Sequence, residues 1–445
     1  MRSRMDSQTS PPRYLRGLAA DAAGRIFDLP GYAAVGMAGG FFAPLSLAET
    51  MPLPHGSELM RLPDRVPLLY HLERQRLEPV PTHPEDPDTP LLAVAAFNSP
   101  GVVATWSAAF RERPGARTLP LFCYGAVGWG GGRFRAAAVR VDWEPRQDLR
   151  RMPLRLVRAG VRRMRRMLPQ NRLRRHLETC ALVYGCPAGK NFFLGRYEAP
   201  LPTAVACNAR CLGCLSHQPE GEIPCTQERI RFTPSPAEIA EVALAHIARA
   251  PRPVVSFGQG CEGEPLTAAR VIAPAIRRIR EKTAQGTIHL NTNASLPGEL
   301  AALCAAGLDS IRVSANSLRP ACYEAYFRPR HYRFRDVLRS IDLALERGLF
   351  VAINYLNTPG FSDTPSEFKA LCAFLRRHPV HMIQWRNLNY DPLRYREAMA
   401  RAARPEIPFG IRELLAAVRS EFPRLKFGYF NPPREKWTVR GPDPR

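Results

Sequence analysis

Cys207-Asn-Ala-Arg-Cys211-Leu-Gly-Cys214 is the most informative stretch of this 445-residue chain. Three thiols on one short loop, spaced by three residues and then two, are a metal-ligand pattern. A structural zinc site takes four protein ligands, and only His217, three residues past Cys214, stands at a fitting distance to be the fourth. An iron–sulfur cluster held by three thiolates instead leaves one iron open. The loop therefore poses a choice between a closed metal site and an open one, and its surroundings decide.

Working outward, the loop follows an apolar run, Leu201–Ala206, and begins a regular alternation. Further apolar runs lie at Val254–Phe257, Thr287–Asn291, Ser310–Ser314, Phe350–Leu356 and His381–Trp385. Helical patterns separate them at Ser235–Arg249, Leu266–Thr283, Pro297–Ala306, Phe334–Arg347 and Thr364–Arg377. Ser235-Pro236 and Thr364-Pro365 read as caps, Gly307 and Gly348 as terminators. Strands alternating with helices give βαβ units and a parallel sheet with right-handed crossovers, whose chemistry sits at the carboxyl ends of the strands. The fold class expected is α/β, a partial (β/α)6 TIM-like barrel over residues 196–400. Residues 1–195, rich in Pro and Gly, are expected to be a mixed α+β accessory domain. Within them Leu119–Asp142 reads as two short strands around the Gly130–Gly132 turn, and Pro79–Pro90 as a surface loop. Residues 401–445 are expected to add a helix at Ile411–Phe422, a short Phe-rich strand and a tail.

Composition narrows the class. Hydrophobic residues make up 45% and charged residues 23%, as in a globular protein. The start lacks the apolar core of a secretory signal, and the apolar stretch Gly31–Ala48 is short and broken by Pro44, so a cytoplasmic chain without a membrane segment is expected. Eleven cysteines in that setting are reduced thiols. The net charge of +23 is nearly all arginine, twelve of them between Arg146 and Arg175. That run reads as an amphipathic helix with Leu156, Val157, Met164, Met167 and Leu168 inward and solvated arginines outward. Its charge alone supports nucleic acid as a partner only weakly.

With these residues in place, the chain resembles the radical S-adenosylmethionine (SAM) enzymes over about Pro200 to Pro392. The C-x3-C-x2-C loop follows the first strand, as in that family. The resemblance implies a [4Fe–4S] cluster on Cys207, Cys211 and Cys214, with SAM on the open iron. Gly263-Glu264-Pro265 after the second strand is similar to the family's GGE(P) segment for the SAM ammonium, with Glu262 replacing the first glycine. Asn293 after the third strand, Ser314 and Asn316 after the fourth, and Arg386 with Asn387 after the sixth are the implied SAM or substrate contacts. Gly213 stands where many members carry an aromatic residue, leaving Leu212 or Leu215 for the adenine. The implied activity is reductive cleavage of SAM to a 5′-deoxyadenosyl radical that abstracts hydrogen from a substrate the sequence does not name. An electron donor such as flavodoxin or ferredoxin is implied as partner. Cys180, Cys186 and Cys225, with Cys123 or Cys261, could supply an auxiliary cluster. Lys190 and Arg196, in Gly185–Pro200, are either substrate contacts or part of a bridge between domains. The alternative reading is a non-enzymatic basic zinc or iron–sulfur protein that binds RNA.

Overall fold

The computed structural model describes residues 14–218 and 223–437. The chain forms two compact units. Among the described residues the first comprises 14–99, 104–117 and 124–139, and the second 100–103, 118–123 and 140–437.

The first unit is antiparallel sheet. Its ten-stranded sheet centres on Arg16–Ala20, which pairs with Ile26–Ala33, Leu92–Phe97 and Val127–Gly130. The expected hairpin is present: Gly130 pairs with Arg133 across Gly131 and Gly132, whose φ angles of 61° and 73° suit a two-residue turn between twisted strands. Within the expected surface loop, Pro79–Pro90, Thr82–His83 pairs with the largely exposed Asp86–Pro90 in a short hairpin. Part of the apolar stretch at Gly31–Ala48 is the buried strand Val35–Ala38. No helix among the described residues is long and apolar enough to cross a membrane.

The second unit is built on a seven-stranded parallel sheet in strict chain order: Glu198–Pro200, Val254–Phe257, Thr287–Thr292, Ser310–Ala315, Phe350–Asn357, Met382–Asn387 and Lys426–Gly428. These are called the first to seventh strands below. Sequential order with a helix in every crossover produces a partial barrel, because each right-handed crossover adds its strand at the same edge. The helices are α1 (Leu154–Met167), α2 (Arg172–Leu182), α3 (Pro187–Leu194), α4 (Pro236–Ile247), α5 (Ala269–Lys282), α6 (Pro297–Ala306), α7 (Pro320–Phe327), α8 (Phe334–Glu346), α9 (Pro365–Arg377), α10 (Pro392–Ala400) and α11 (Ile411–Glu421). Ser235 caps α4 in a reciprocal box with Glu238, and α6 ends at Gly307 with φ of 107°.

Several expectations change. Leu201–Ala206 leaves the sheet after Pro200, because the N–H groups of Thr203 and Ala204 are bonded by the Glu262 carboxylate (2.7 and 2.9 Å) and not by a neighbouring strand. The boundary at 195 falls inside the second unit, where α1–α3 belong. Residues from 401 onward are no separate region either, since Lys426–Gly428 is the seventh strand of the sheet. The arginine run is two helices, and the buried face of α1 is Val157, Gly160, Val161 and Met164, a one-sided stripe at helical spacing. Leu156 and Met167 point outward. A Cβ at Gly160 would lie 2.2 Å from the Phe193 carbonyl, so only glycine allows this approach of α1 to α3. Arg165 and Arg174 share Glu178, and Arg172 pairs with Glu238, so part of the arginine charge is neutralised locally.

Candidate functional site

The carboxyl ends of the third to sixth strands, with the segments that follow the second and the seventh, line one cavity of about 500 Å³. Cys207, Cys211 and Cys214 line it, together with Gly263, Glu264, Asn293, Ser314 and Arg386. The sheet thus brings together all but two of the residues marked from the sequence as metal, SAM or substrate contacts. One exception is Asn316. It is fully buried away from the cavity, its Nδ2 donating to the Cys322 carbonyl (3.1 Å) and to Tyr395 Oη (3.2 Å). The chain turns after Ala315, which carries that side chain toward α7 and α10. Asn387 is likewise occupied, donating to the Val102 carbonyl at 2.9 Å.

The cysteine loop is held by its backbone. Arg210 N–H donates to the Phe327 carbonyl (3.0 Å) and Leu212 N–H to the Tyr326 carbonyl (3.1 Å), both at the end of α7. Asn389 Nδ2 donates to the Gly213 carbonyl at 3.0 Å, and Asn208 bridges Ser295 and Asn293. The three thiols are half-buried. Burial pushes Cys207 up to about 11 and Cys211 well above the ordinary thiol value. Thiolates there therefore need a cationic partner, which a metal supplies. Arg229, whose Nη2 lies 3.7 Å from Cys214 Sγ, is the nearby protein cation.

Gly213 explains a departure from the family pattern. A Cβ at that position would meet Tyr326 Oη at 2.8 Å, so the place is already taken by an aromatic residue from α7. Tyr326, Phe327 and Leu215 supply the cavity's apolar wall, whereas Leu212 does not line it.

Gly263 is required by the chain's own backbone. Its N–H donates to the Ala204 carbonyl (2.7 Å), and a Cβ would sit 1.9 Å from the Ala206 carbonyl, so no larger residue fits without displacing the cysteine loop. Beside it stand two buried carboxylates. Glu264 accepts from Leu266 N–H (3.1 Å), Asn293 N–H (2.8 Å) and the Thr292 hydroxyl, tying the second strand end to the third. Glu262 accepts from four backbone N–H groups, those of Thr203, Ala204, Gly258 and Gln259, at 2.7–2.9 Å. Burial raises both to about 7 against the pull of these donors. Sequence reasoning saw Glu262 only as an interruption of a glycine pair; it is the anchor between the two loops.

The cavity floor is polar and partly unpaired. Arg312 Nη1 donates to Gln384 Oε1 at 3.1 Å, and burial lowers its pKa to about 9. The Arg386 guanidinium stacks 3.8 Å over the Tyr429 ring. Arg312 Nε, Arg386 Nε and Asn354 Oδ1 are buried without a hydrogen-bond partner among the described residues, and all three residues line the cavity. Buried polar atoms are normally satisfied, so this set marks a place for a polar ligand with acceptors for the two arginines and a donor for Asn354. SAM, with its carboxylate, ammonium and ribose hydroxyls, fits that donor and acceptor set, and three thiols at the rim fit a cluster with one open iron.

His217, the fourth ligand a zinc reading needs, is exposed and does not line the cavity. Lys190 and Arg196 do not line it either. Arg196 Nε donates to Asn191 Oδ1 at 2.8 Å, inside the segment that leads into the first strand. Of the remaining cysteines, Cys186 reaches the cavity wall and Cys225 is exposed.

Residues 201–375 match the family model described as the Radical SAM superfamily. This part of the chain is a radical SAM domain, of a family that uses a [4Fe–4S] cluster and SAM. The chain is similar to two GTP 3′,8-cyclases. It is 32% identical to that of Heliobacterium modesticaldum over 180 residues, which are 40% of this chain and 50% of that one. It is 27% identical to that of Streptomyces coelicolor over 261 residues, covering 56% of this chain and 69% of that one. The chain thus spans half the length of the first relative. Among solved structures, the hydrogenase maturase HydG from Carboxydothermus hydrogenoformans has 14% identity and a TM-score of 0.37, over 61% of this chain and 69% of that one. Methylornithine synthase (PylB) has the same identity and TM-score, over 61% and 77%.

Proposed function

We propose that this chain is a radical SAM enzyme that generates a 5′-deoxyadenosyl radical at the cavity and uses it to abstract hydrogen from a substrate admitted there. The observation that carries the reading is the meeting, in one cavity, of three thiols from one short loop with partnerless polar atoms from the fourth, fifth and sixth strands. Bound on Cys207, Cys211 and Cys214, a [4Fe–4S] cluster supplies the electron that cleaves SAM. The protein's part is placement. Gly263 and the Glu264 backbone bring the second strand's loop against the cysteine loop, where a ligand's ammonium would meet carbonyls and carboxylate. Arg386 and Ser314 offer donors to a carboxylate or hydroxyl, and Asn293 helps to fix the loop's approach through Asn208. Tyr326 and Leu215 give a planar base an apolar wall and keep water from the reacting carbon. The electron comes from a small carrier protein such as flavodoxin or ferredoxin.

Metal analysis tests the proposal. Anaerobically reconstituted protein is expected to hold about four irons and as many labile sulfides on the cysteine loop. One zinc on that loop with no sulfide would contradict it and favour the RNA-binding alternative.

A further inference from the structure

The second unit contains another group of metal-ligating side chains, away from the cysteine loop. His176 and Cys180 stand one turn apart on α2, so both project from the same face. Cys180 Sγ lies 3.5 Å from His176 Nε2. Cys261, in the loop after the second strand, approaches from the other side and its thiol interacts with that of Cys180. The three ligand atoms lie within 4.8 Å of one another. Cys180 and Cys261 are 2% and 6% exposed, and His176 is half-buried with its ring edge-on to Phe232. A fourth side chain is adjacent. Cys186 donates its N–H to the Cys180 carbonyl at 2.9 Å, which places it next to the group, although its thiol is not among the ligand atoms within 4.8 Å.

Core cysteines that serve only packing need apolar neighbours; they do not need an imidazole nitrogen and a second thiol converging on one point. A tetrahedral zinc, with Zn–S of about 2.3 Å and Zn–N of about 2.0–2.1 Å, holds its sulfur and nitrogen ligands roughly 3.5–3.6 Å apart. The Cys180–His176 separation matches that spacing without rearrangement. Two soft thiolates and an imidazole select zinc over hard cations such as magnesium or calcium.

We propose that His176, Cys180 and Cys261 form a structural zinc site, with Cys186 as its fourth ligand. Zinc binds there as the ligating thiols release their protons to solvent, with no change of oxidation state. The ion clamps α2 to the loop that carries Glu262, Gly263 and Glu264, and so fixes the cavity wall against which the cysteine loop rests. Its role is closed and structural, unlike that of the loop at Cys207, Cys211 and Cys214.

The test uses the full chain in which Cys207, Cys211 and Cys214 are all replaced by Ser, stripped with chelator and then given zinc alone. The expected result is about one zinc per chain surviving desalting, with a rise in Tm on zinc addition. Further Cys180→Ser and Cys261→Ser changes lose the zinc. His176→Gln, which disturbs the core less, loses the Tm rise. With cobalt in place of zinc, the thiolate-to-metal charge-transfer band falls by about one third in Cys186→Ser, as for three thiolates reduced to two. No zinc retained by the triple variant, zinc retained undiminished without Cys180 and Cys261, or iron and sulfide in place of zinc would each overturn the proposal. A Cys180–Cys261 disulfide in metal-free, anaerobically purified protein would do the same. An unchanged cobalt band in Cys186→Ser would overturn its assignment as fourth ligand.

Discussion

Two groups of thiols lie in the same unit and are built in opposite ways. Cys207, Cys211 and Cys214 come from eight consecutive residues, remain half-buried, and open onto a cavity of about 500 Å³. Cys180 and Cys261 come from distant parts of the chain, are buried, and meet a histidine in a closed cluster. The difference is that between a metal centre that must admit a ligand and one that must exclude it. The open group takes its shape from backbone bonds to α7 and leaves its sulfurs facing the cavity. The closed group turns its ligand atoms toward one another and touches the cavity only through Cys186 and the loop at Cys261.

Mutations that act on one group and spare the other sharpen this contrast. The largest effect is expected from Cys211→Ser, which removes a sulfur from the open group. Iron loading and 5′-deoxyadenosine formation should fall to background while the fold, read by circular dichroism, is kept. Next comes Gly263→Ala. Its methyl group has nowhere to go beside the Ala206 carbonyl, so a loss of about 3 kcal/mol in denaturant unfolding is expected, with weaker cluster retention as the cysteine loop is pushed away. Glu262→Gln follows. An amide places a donor against backbone N–H groups that now meet an acceptor, costing roughly 1–3 kcal/mol. Equal iron loading and stability in Glu262→Gln and the native chain would break the link drawn here between the two loops.

The smallest effect concerns α2, which carries the closed group. Arg172 pairs with Glu238 at 2.8 Å, and this hydrogen-bonded guanidinium holds the carboxyl down to about 2. Because the folded value is below the ordinary 4.5, the pair's contribution is present above pH 4.5 and is lost as the pH falls through about 2. Arg172→Ala should therefore lower Tm slightly at neutral pH. The gap to the native chain should narrow in that acid range and shrink with salt, since the arginine is exposed.

The open site was legible in the sequence because its determinants are local. Cysteine spacing, the glycine before Glu264 and polar residues at strand ends are readable from neighbours in the chain, and the alternation of strand and helix placed them on one face. What escaped depends on distant contacts. Tyr326 fills the space beside Gly213 from α7, more than a hundred residues further along the chain. Asn316 sits within two residues of a correctly read strand end, yet one turn of backbone takes it out of the cavity. Leu201–Ala206 has the composition of a strand, but a single buried carboxylate takes the N–H groups that a sheet would use. Of the closed group, Cys180, Cys186 and Cys261 read from the sequence as candidates for an auxiliary cluster, but nothing local singles them out from Cys123 and Cys225 or adds His176 to them.

The central claim concerns the open group, and product formation tests it most directly. The anaerobically reconstituted 445-residue chain, reduced with dithionite and supplied with SAM, should release 5′-deoxyadenosine and methionine, whereas the Cys211→Ser variant should release neither. Fully iron- and sulfide-loaded protein that forms no 5′-deoxyadenosine, with cell extract added as a source of substrate, would contradict the account.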